Sequence, residues 1–264
     1  MTRRGMLAES PADMSKQSFE LSDVFEDLVD WPRRLAGEEP FFRALFERTK
    51  ARRVLDSACG TGHHAALFHS WGVSVEGADL SPRMIARARA LHGEPEGLAW
   101  KVRGYDQPAG GEGDFDAVIC VGNSLAMAPG KETVRKALAE MVSAVRGGGA
   151  VAVHLLNMKK ITSGPALWQK CRRADSPDGE ALIVKGVHHS GGRAWVELLL
   201  APIAEPGKMR TANIPLIVIE AEEIREMFLQ AGAEAVELFG GYSGQPYEPK
   251  QSTDIVAVAS RPSA

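Results

Sequence analysis

The feature that most constrains this chain is a glycine-rich turn between an apolar run and a helical segment. Within Val54-Leu-Asp-Ser-Ala-Cys-Gly-Thr-Gly-His-His-Ala65, Gly60 and Gly62 separate a predicted strand over 53–58 from a predicted helix over 62–71. Because glycine lacks a side chain, both positions let a ligand approach the backbone and the helix N-terminus. Dinucleotide-binding folds use the same GxGxxA spacing, so the turn predicts a ligand site without identifying the ligand.

Strand-like and helix-like runs alternate after this turn. Predicted strands cover 73–78, 98–102, 115–121 and 150–156, and predicted helices cover 81–91 and 131–145. A last helix over 222–230 precedes two further strands over 235–239 and 254–260. This rhythm predicts an α/β fold: a Rossmann-like sheet of seven strands, with helices on both faces and ligands at the carboxyl ends of the strands.

The pattern changes past Trp168, where strand-like runs over 181–189, 193–203 and 210–219 follow one another with no helix between them. We interpret this segment as an antiparallel β insertion that forms a substrate lid. The predicted division of the chain is a disordered N-terminus (1–17), capping helices (18–50), a ligand-binding core (51–165), the insertion (166–219) and the C-terminal part of the core sheet (220–264). We expect Pro40 to open the second of the capping helices.

Charge and cysteine content exclude several classes of protein. The net charge of -3 gives no excess of Lys and Arg with which to neutralise a phosphate backbone, so we expect no nucleic-acid partner. Cys59, Cys120 and Cys171 are too scattered for a disulfide framework or a CxxC metal site, which favours a reducing compartment. No apolar run approaches the ~20 residues that span a bilayer. We therefore expect a cytoplasmic protein without a membrane partner.

A metal site is not expected either. His63 and His64 are adjacent at a helix start, so their side chains point in different directions, and no third ligand is spaced to join them.

Two acids close the first two predicted strands. Asp56, followed by Ala58-Cys-Gly-Thr-Gly62, resembles the first motif of class I S-adenosylmethionine-dependent methyltransferases, in which the acid lies near the methionine end of the ligand. Asp79, in Gly77-Ala-Asp-Leu-Ser81, can accept both ribose hydroxyls. A turn or N-cap role is the alternative for Asp79, although Ser81 is better placed to cap the next helix. Leu80 and Met84 can flank adenine, and Met84 suits an ordinary core position equally well.

The resemblance becomes specific with Phe115-Asp-Ala-Val-Ile-Cys-Val-Gly-Asn-Ser124, which together with these motifs is similar to glycine and sarcosine N-methyltransferases and their bacterial relatives. We expect this similarity to extend over nearly the whole chain. It places Trp31 and Arg34 where the family has an aromatic residue and an arginine that closes over the cofactor carboxylate, and a guanidinium can fork onto that group. The alternative for Arg34 is a surface salt bridge to Glu38 or Glu39, and Arg33 is then a solvated neighbour.

The expected cofactor contacts share positions in these motifs or near the ends of the strands. They are Trp31, Arg34, Asp56, Ala58, Gly60, Gly62, Asp79, Leu80, Met84, Tyr105, Asp106 and Val121.

One departure from the family concerns the acceptor. Just after the fifth strand, where the family has an arginine for the substrate carboxylate, this chain reads His154-Leu-Leu-Asn-Met158, with leucine at the matching place. Leucine cannot neutralise a carboxylate, so Leu155 and Leu156 predict an acceptor larger or less anionic than glycine. Arg172, Arg173, His188 and His189 lie in the insertion and are candidate substrate contacts. The alternative for each is a solvent-facing strand or turn residue.

Methyl transfer from a sulfonium needs mainly proximity, alignment and a neutral nucleophile. We expect Asn123 and Ser124, at the end of the fourth strand, to lie beside the methyl group and orient an amine. For an oxygen nucleophile His154 is the candidate base, with a structural strand residue as the alternative. Tyr242, in the loop Phe239-Gly-Gly-Tyr-Ser-Gly-Gln-Pro-Tyr247, either packs or points at the substrate.

The predicted function is an S-adenosylmethionine-dependent methyltransferase that acts on a small molecule, with S-adenosylhomocysteine as product and an amine nitrogen as the favoured acceptor. Three alternatives stay open: a small-molecule O-methyltransferase, a protein that binds S-adenosylmethionine without turnover, and a nucleotide-dependent oxidoreductase, for which the sequence shows no Ser, Tyr and Lys constellation. A homo-oligomer also stays open.

Overall fold

A computed structural model describes residues 21–161, 167–176, 179–191 and 193–263. The predicted disorder of residues 1–17 lies outside the described residues. The strands, in chain order, are β1 Arg53–Ser57, β2 Ser74–Asp79, β3 Leu98–Val102, β4 Phe115–Cys120, β5 Val145–Leu156, β6 Leu167–Ser176, β7 Gly179–Ser190, β8 Arg193–Pro202, β9 Arg210–Leu216, β10 Ala235–Phe239 and β11 Asp254–Ser260.

Seven of these strands form the main sheet, in the order β10-β11-β5-β4-β1-β2-β3. Five consecutive neighbours, from β5 to β3, are parallel. Only β11 is reversed, because it pairs antiparallel with both β5 and β10. Since β11 runs against its neighbours, it begins at the edge where they end, and Asp254 lies opposite Leu156. The predicted seven-stranded α/β fold is confirmed.

Helices cover both faces of this sheet. They are α1 Leu21–Leu28, α2 Trp31–Thr49, α3 His63–Ser70, α4 Pro82–His92, α5 Lys131–Ala144 and α6 Ala221–Gln230. One apolar cluster joins α2, α3 and α4 to one face of the main sheet. A second cluster joins α5 and α6 to the opposite face. None of the helices in the described part of the chain is both long and apolar enough to cross a membrane.

The position of Pro40 differs from the prediction. Pro40 does not open a helix but lies inside α2, which runs without interruption from Trp31 to Thr49. An interior proline removes one backbone hydrogen bond and typically costs about 3 kcal/mol. Side chains on both sides of it offset this cost, because Trp31 and Glu38 are buried before Pro40 and Phe42 is buried after it. Tertiary packing therefore overrides the local signal for a helix start.

The insertion is a separate antiparallel sheet of four strands, in the order β6-β7-β8-β9. The sequence predicted three of these strands and missed β6. This strand lies at the edge of its sheet, and Cys171, Arg172 and Arg173 within it are exposed. An edge strand with exposed charged residues has no alternating apolar pattern to reveal it.

The antiparallel sheet lies beside the carboxyl ends of the parallel strands. Just after β9, the Ile217 N–H donates to the Ala126 carbonyl at 2.8 Å, in the short 3-10 helix Ser124–Met127 that follows β4. Buried residues of β7 and β8 belong to the same apolar cluster as α5 and α6. The insertion is therefore packed on the core rather than forming a distant domain, as predicted.

Candidate active site

The glycine-rich turn after β1 has three left-handed residues. Ala58, Gly60 and Gly62 have φ of 64°, 57° and 84°. The Cys59 N–H donates to the Ala78 carbonyl of β2 at 2.9 Å, which ties the turn to the neighbouring strand. Left-handed backbone is costly for alanine. The surrounding sheet and helix must therefore hold Ala58 in this conformation.

The two glycines of this turn are needed for packing. A Cβ on Gly62 would lie 2.6 Å from Cζ3 of the buried Trp100 ring, and one on Gly60 would lie 3.3 Å from the Phe25 ring of α1. The sequence predicted that both glycines leave room for a ligand. At Gly62 the indole of Trp100 fills the Cβ direction, and the approach of a ligand to the Gly62 backbone stays a prediction.

Asp56, the residue before the last one of β1, has a buried carboxyl group with one unpartnered oxygen. Its side chain is 1% exposed, and Oδ2 has no hydrogen-bond partner among the described residues. Burial, and then the charge of Asp79, raise the pKa of Asp56 to about 7. The Ala65 N–H satisfies only part of this carboxylate, so its charged form stays destabilised and the position favours a cationic ligand group.

Asp79 organises the glycine-rich turn from the end of β2. Its carboxylate accepts the Gly60 N–H at 2.9 Å and the Ser81 N–H at 2.8 Å. Burial raises the pKa of Asp79, and these two hydrogen bonds oppose the rise. Ser81 caps α4 by accepting the Met84 N–H at 3.3 Å. Asp79 is thus a turn residue in the free protein and remains a candidate for the ribose contact.

The other predicted cofactor contacts are placed as follows. Leu80 is 72% exposed beside the turn, whereas Met84 is buried, as an ordinary core position would be. Burial raises the pKa of the half-buried Tyr105 to about 12, and Asp106 borders a groove next to α5 and α6. Val121 is buried at the end of β4. Leu80 alone among these five is open to a ligand along most of its side chain.

Arg34 of α2 reaches the end of β4. Its guanidinium lies over the Trp31 ring at 5.3 Å, and a Cβ on Gly122 would be 3.7 Å from Nη2. Arg34 Nε donates to Glu38 Oε1 at 2.8 Å. This is the pair expected as the alternative role of Arg34, but Glu38 is buried rather than on the surface. The other Glu38 oxygen bonds His64 Nε2 at 2.6 Å, so Glu38 connects α2 to α3.

His63 joins the same N-terminal region to α1. Its ring stacks on Trp31 with centroids 4.2 Å apart, and its Nε2 lies 2.7 Å from Glu26 Oε2. The sequence analysis did not identify Glu26 or the bridging role of Glu38. Only the four-residue spacing of Arg34 and Glu38 gave a signal, and Glu26 has no local signal at all.

Asn123 and Ser124 lie at the end of β4, as predicted from the motif order. Asn123 has a left-handed φ of 68°, and its Oδ1 accepts the Leu156 N–H at 2.9 Å. Ser124 Oγ donates to the Val121 carbonyl at 2.8 Å. Both side chains are buried, so the loop after β4 is rigidly joined to the end of β5.

His154 of β5 is paired with Asp254 of β11. The distance between Nε2 and Oδ1 is 3.0 Å, and the imidazole stacks on Tyr242 at 5.6 Å. Burial would raise the pKa of Asp254, but the hydrogen bond and charge of His154 lower it below its usual value. A carboxylate only accepts hydrogen bonds, so Nε2 carries the proton. Nδ1 is buried with no hydrogen-bond partner among the described residues.

A cavity of about 660 Å³ opens beside Tyr242. Its lining residues are Val29, Asp30, Arg33, Arg34, Gly37, Glu38, Arg172, Tyr242 and Ser243. Tyr242 is therefore at the cavity, with its hydroxyl close to the Arg34 guanidinium. Tyr247 of the same loop instead donates to Asn157 Oδ1 at 3.2 Å.

The insertion residues separate into two groups. Arg172 borders the cavity, whereas Arg173 is exposed and pairs with Glu180 at 3.3 Å. His188 is buried against Trp195 and pairs with Glu197 at 3.2 Å within the antiparallel sheet, and His189 is partly exposed beside it. The structure thus brings Arg172, and not Arg173, to the candidate site.

The two leucines after His154 provide no charge. Leu155 is 2% exposed within the core, and Leu156 is half-buried at the end of β5.

Comparison with known proteins gives a domain type. Residues 54–149 match a family model described as a methyltransferase domain. A glycine/sarcosine N-methyltransferase from Parasynechococcus marenigrum (strain WH8102) is 34% identical over 151 residues, which cover 55% of this chain and 52% of that protein. The chain thus spans about half the length of the curated relatives it matches. We predicted that the sequence similarity would extend over nearly the whole chain. It covers 55% of the chain in this relative and 61% in human glycine N-methyltransferase.

Solved structures resemble the chain over a longer stretch. The sugar N-methyltransferase KedS8 from Streptoalloteichus superposes with a TM-score of 0.71 at 22% identity and covers 99% of both chains. The SAM-bound amino pentose methyltransferase CalS10 from Micromonospora echinaspora gives 0.69 at 22% identity, over 92% of this chain and 97% of that chain. At these identities the likeness establishes the fold. The predicted resemblance to class I methyltransferases and to glycine and sarcosine N-methyltransferases is confirmed.

Proposed function

We propose that this chain, whose residues 54–149 match a methyltransferase domain, is an S-adenosylmethionine-dependent methyltransferase that methylates the nitrogen of a small amine. The observation that carries the proposal is that an acid and a base, Asp56 and Arg34, lie at the carboxyl ends of the neighbouring strands β1 and β4. Asp56 has an unpartnered buried oxygen, and Arg34 reaches the end of β4. A ligand with an α-ammonium and an α-carboxylate, such as the methionine part of S-adenosylmethionine, suits both groups.

The nucleoside part of the cofactor suits the end of β2. Asp79 keeps acceptor capacity beyond its two backbone hydrogen bonds, because an ionised carboxylate has about four acceptor sites. We assign it to the ribose hydroxyls, with Leu80 as an exposed apolar contact for adenine. The helices α1 and α2 then cap the cofactor, and the antiparallel sheet serves as the lid.

Asp79→Ala is expected to weaken S-adenosylmethionine binding by about 1.5–3 kcal/mol, the usual contribution of hydrogen bonds to a charged group. Isothermal titration calorimetry measures this loss. Because Asp79 also holds Gly60, the free energy of unfolding is measured alongside. Asp79→Asn serves as the matched variant, since its amide oxygen can still accept the Gly60 N–H. A folded variant with unchanged affinity would remove Asp79 from the site.

Methyl transfer to an amine depends more on how the acceptor nitrogen is positioned than on acid–base chemistry. When bound, the cofactor supplies an activated methyl group that a neutral amine takes by in-line displacement. Hydrogen bonds to the Leu156 N–H and the Val121 carbonyl hold the side chains of Asn123 and Ser124 in place. These two residues therefore form a rigid surface at the end of β4. Such preorganised groups align a nucleophile without having to reorganise.

Glycine and sarcosine are expected to be poor acceptors. By resemblance to glycine N-methyltransferases, leucine replaces the arginine that would pair with their carboxylate. Neither Leu155 nor Leu156 can provide that charge, and desolvating an unpaired carboxylate costs several kcal/mol. The assay incubates the protein with S-adenosylmethionine and millimolar glycine or sarcosine and quantifies S-adenosylhomocysteine. Efficient turnover that survives Arg172→Ala would contradict the desolvation argument.

A second candidate function is O-methylation, and the His154–Asp254 pair favours it. Asp254 binds Nε2 and leaves Nδ1 without a hydrogen-bond partner among the described residues, and Nδ1 is the atom we assign as the base. A hydroxyl acceptor needs such a base, whereas an amine can lose its proton before binding.

The acceptor class is tested with methyl-labelled S-adenosylmethionine and an untargeted pool of metabolites. Labelled N-methyl products support the proposal, and labelled ethers or esters would favour the second candidate. Cofactor binding without S-adenosylhomocysteine formation in any pool would indicate a binding protein instead. We also propose a cytoplasmic location, which the three free cysteines Cys59, Cys120 and Cys171 support, so a cytoplasmic extract is the metabolite pool to use.

A further inference from the structure

The cavity beside Tyr242 carries surplus positive charge. Resting on the proposed function, we propose that the acceptor amine bears an anionic group, a carboxylate or a phosphate, and that Arg172 and Arg33 bind this group. The anion then lies farther from the reacting nitrogen than the carboxylate of glycine does. This assigns both the acceptor class and the residues that select it.

Arg172 is the charged group that β6 presents to the cavity. Successive side chains of a strand point to opposite faces, so Arg172 and Arg173 cannot both line the same space. Arg173 pairs with Glu180, whereas Arg172 borders the cavity with no ion pair among the described residues. An exposed guanidinium in such a position binds a planar or tetrahedral anion by parallel hydrogen bonds.

The two acids that border the cavity, Glu38 and Asp30, differ in their partners. Glu38 binds Arg34 at 2.8 Å and His64 at 2.6 Å, and these two partners lower its pKa even though burial alone would raise it. Asp30 accepts the backbone N–H of Arg33 at the start of α2. Three arginines of the cavity, Arg33, Arg34 and Arg172, thus outnumber its two acids, and one positive charge remains to attract an anion.

These two arginines come from separate parts of the fold. Arg33 is in α2, next to Arg34, which we assign to the cofactor carboxylate, and Arg172 is in the antiparallel sheet. An anion that contacts both links the N-terminal helices to the insertion. Because the amine must face the end of β4 while the anion lies between α2 and β6, the acceptor has to be longer than glycine.

The test measures binding of three probe amines to the full chain loaded with S-adenosylhomocysteine. Ethanolamine is the neutral-tail probe, O-phosphoethanolamine carries a phosphate, and β-alanine carries a carboxylate. We expect at least one anionic probe to bind about tenfold more tightly than ethanolamine, the gain typical of charged hydrogen bonds. Preference for one of the two anionic probes identifies the anion.

Arg172→Gln is expected to abolish this preference, and Arg33→Gln to reduce it. For any probe that is methylated, Arg172→Gln should raise KM about tenfold and leave kcat nearly unchanged, because the contact is to the anion and not to the reacting nitrogen. Arg48→Gln is the matched control, since it removes an exposed arginine of α2 that pairs with Glu237.

Equal binding of all three probes, or an anion preference that survives Arg172→Gln, overturns the inference while leaving cofactor binding intact. Failure of S-adenosylhomocysteine to bind would instead contradict the proposed function itself.

Discussion

Asp56→Asn is expected to stabilise the free protein and, in the same variant, to weaken S-adenosylmethionine binding. The pKa of Asp56 rises from 3.8 to about 7 in the folded protein. That rise corresponds to about 4 kcal/mol of unfavourable free energy for the ionised side chain. Asparagine removes the charge but keeps a buried amide, so we expect a net gain of about 2–3 kcal/mol at about pH 8.

The pH dependence follows from the sign of this shift. The folded state binds the proton more tightly than the unfolded state, so the contribution of Asp56 to stability falls as pH rises from about 4 to about 7. Above about 7 it stays at its low value. Denaturant unfolding at several pH values should therefore show a loss in the wild type that is smaller in Asp56→Asn. Burial of Asp79 adds a loss of the same sign to both proteins.

Whereas Asp56→Asn should raise the free energy of unfolding, it should lower the affinity for the cofactor. Loss of a buried charge partner costs at least about 2 kcal/mol, or about 30-fold in Kd. The affinity of the wild type should increase as pH rises towards 7, because Asp56 must lose its proton to pair with an ammonium group. The variant should lose this part of the dependence and keep the part that comes from Asp79. Calorimetry in buffers of different ionisation enthalpy measures the proton released. Wild-type affinity in the variant would exclude Asp56 from the cofactor site.

Gly62→Ala is expected to destabilise the protein by about 2–5 kcal/mol. Two costs combine, because alanine at a φ of 84° pays for left-handed backbone and its Cβ collides with the buried Trp100 ring. The first cost is about 1–2 kcal/mol and the second about 1–3 kcal/mol. Denaturant unfolding monitored by circular dichroism gives the free energy.

Gly72→Ala separates these two costs. Gly72 has a nearly identical φ of 82°, but a Cβ there would meet nothing within 4 Å. It should lose only the backbone part, about 1–2 kcal/mol. Equal losses in the two variants would mean that Trp100 yields without cost, and that Gly62 is not required for packing.

The fold was largely predictable because its signals are local. The boundaries of β3, β10 and β11 were predicted to the residue, since each is a short apolar run between turn residues. The errors lie where context overrides the local signal. Pro40 stays inside α2 because residues on both sides of it are buried, and β6 was missed because an edge strand needs no apolar alternation.

The sequence by itself determined the succession of strands and helices of the main sheet along the chain, the glycine-rich turn and the residue types at the strand ends. Spacing along the chain sets backbone conformation and periodicity. Only the tertiary structure decided the partners. It joined Asp254 to His154 across 100 positions of sequence and Glu38 to His64 across 26. It also brought Arg172, and not Arg173, to the cavity beside Tyr242 and packed Trp100 against Gly62. Such pairings depend on which elements meet in space, and the local pattern of residues carries no information about that.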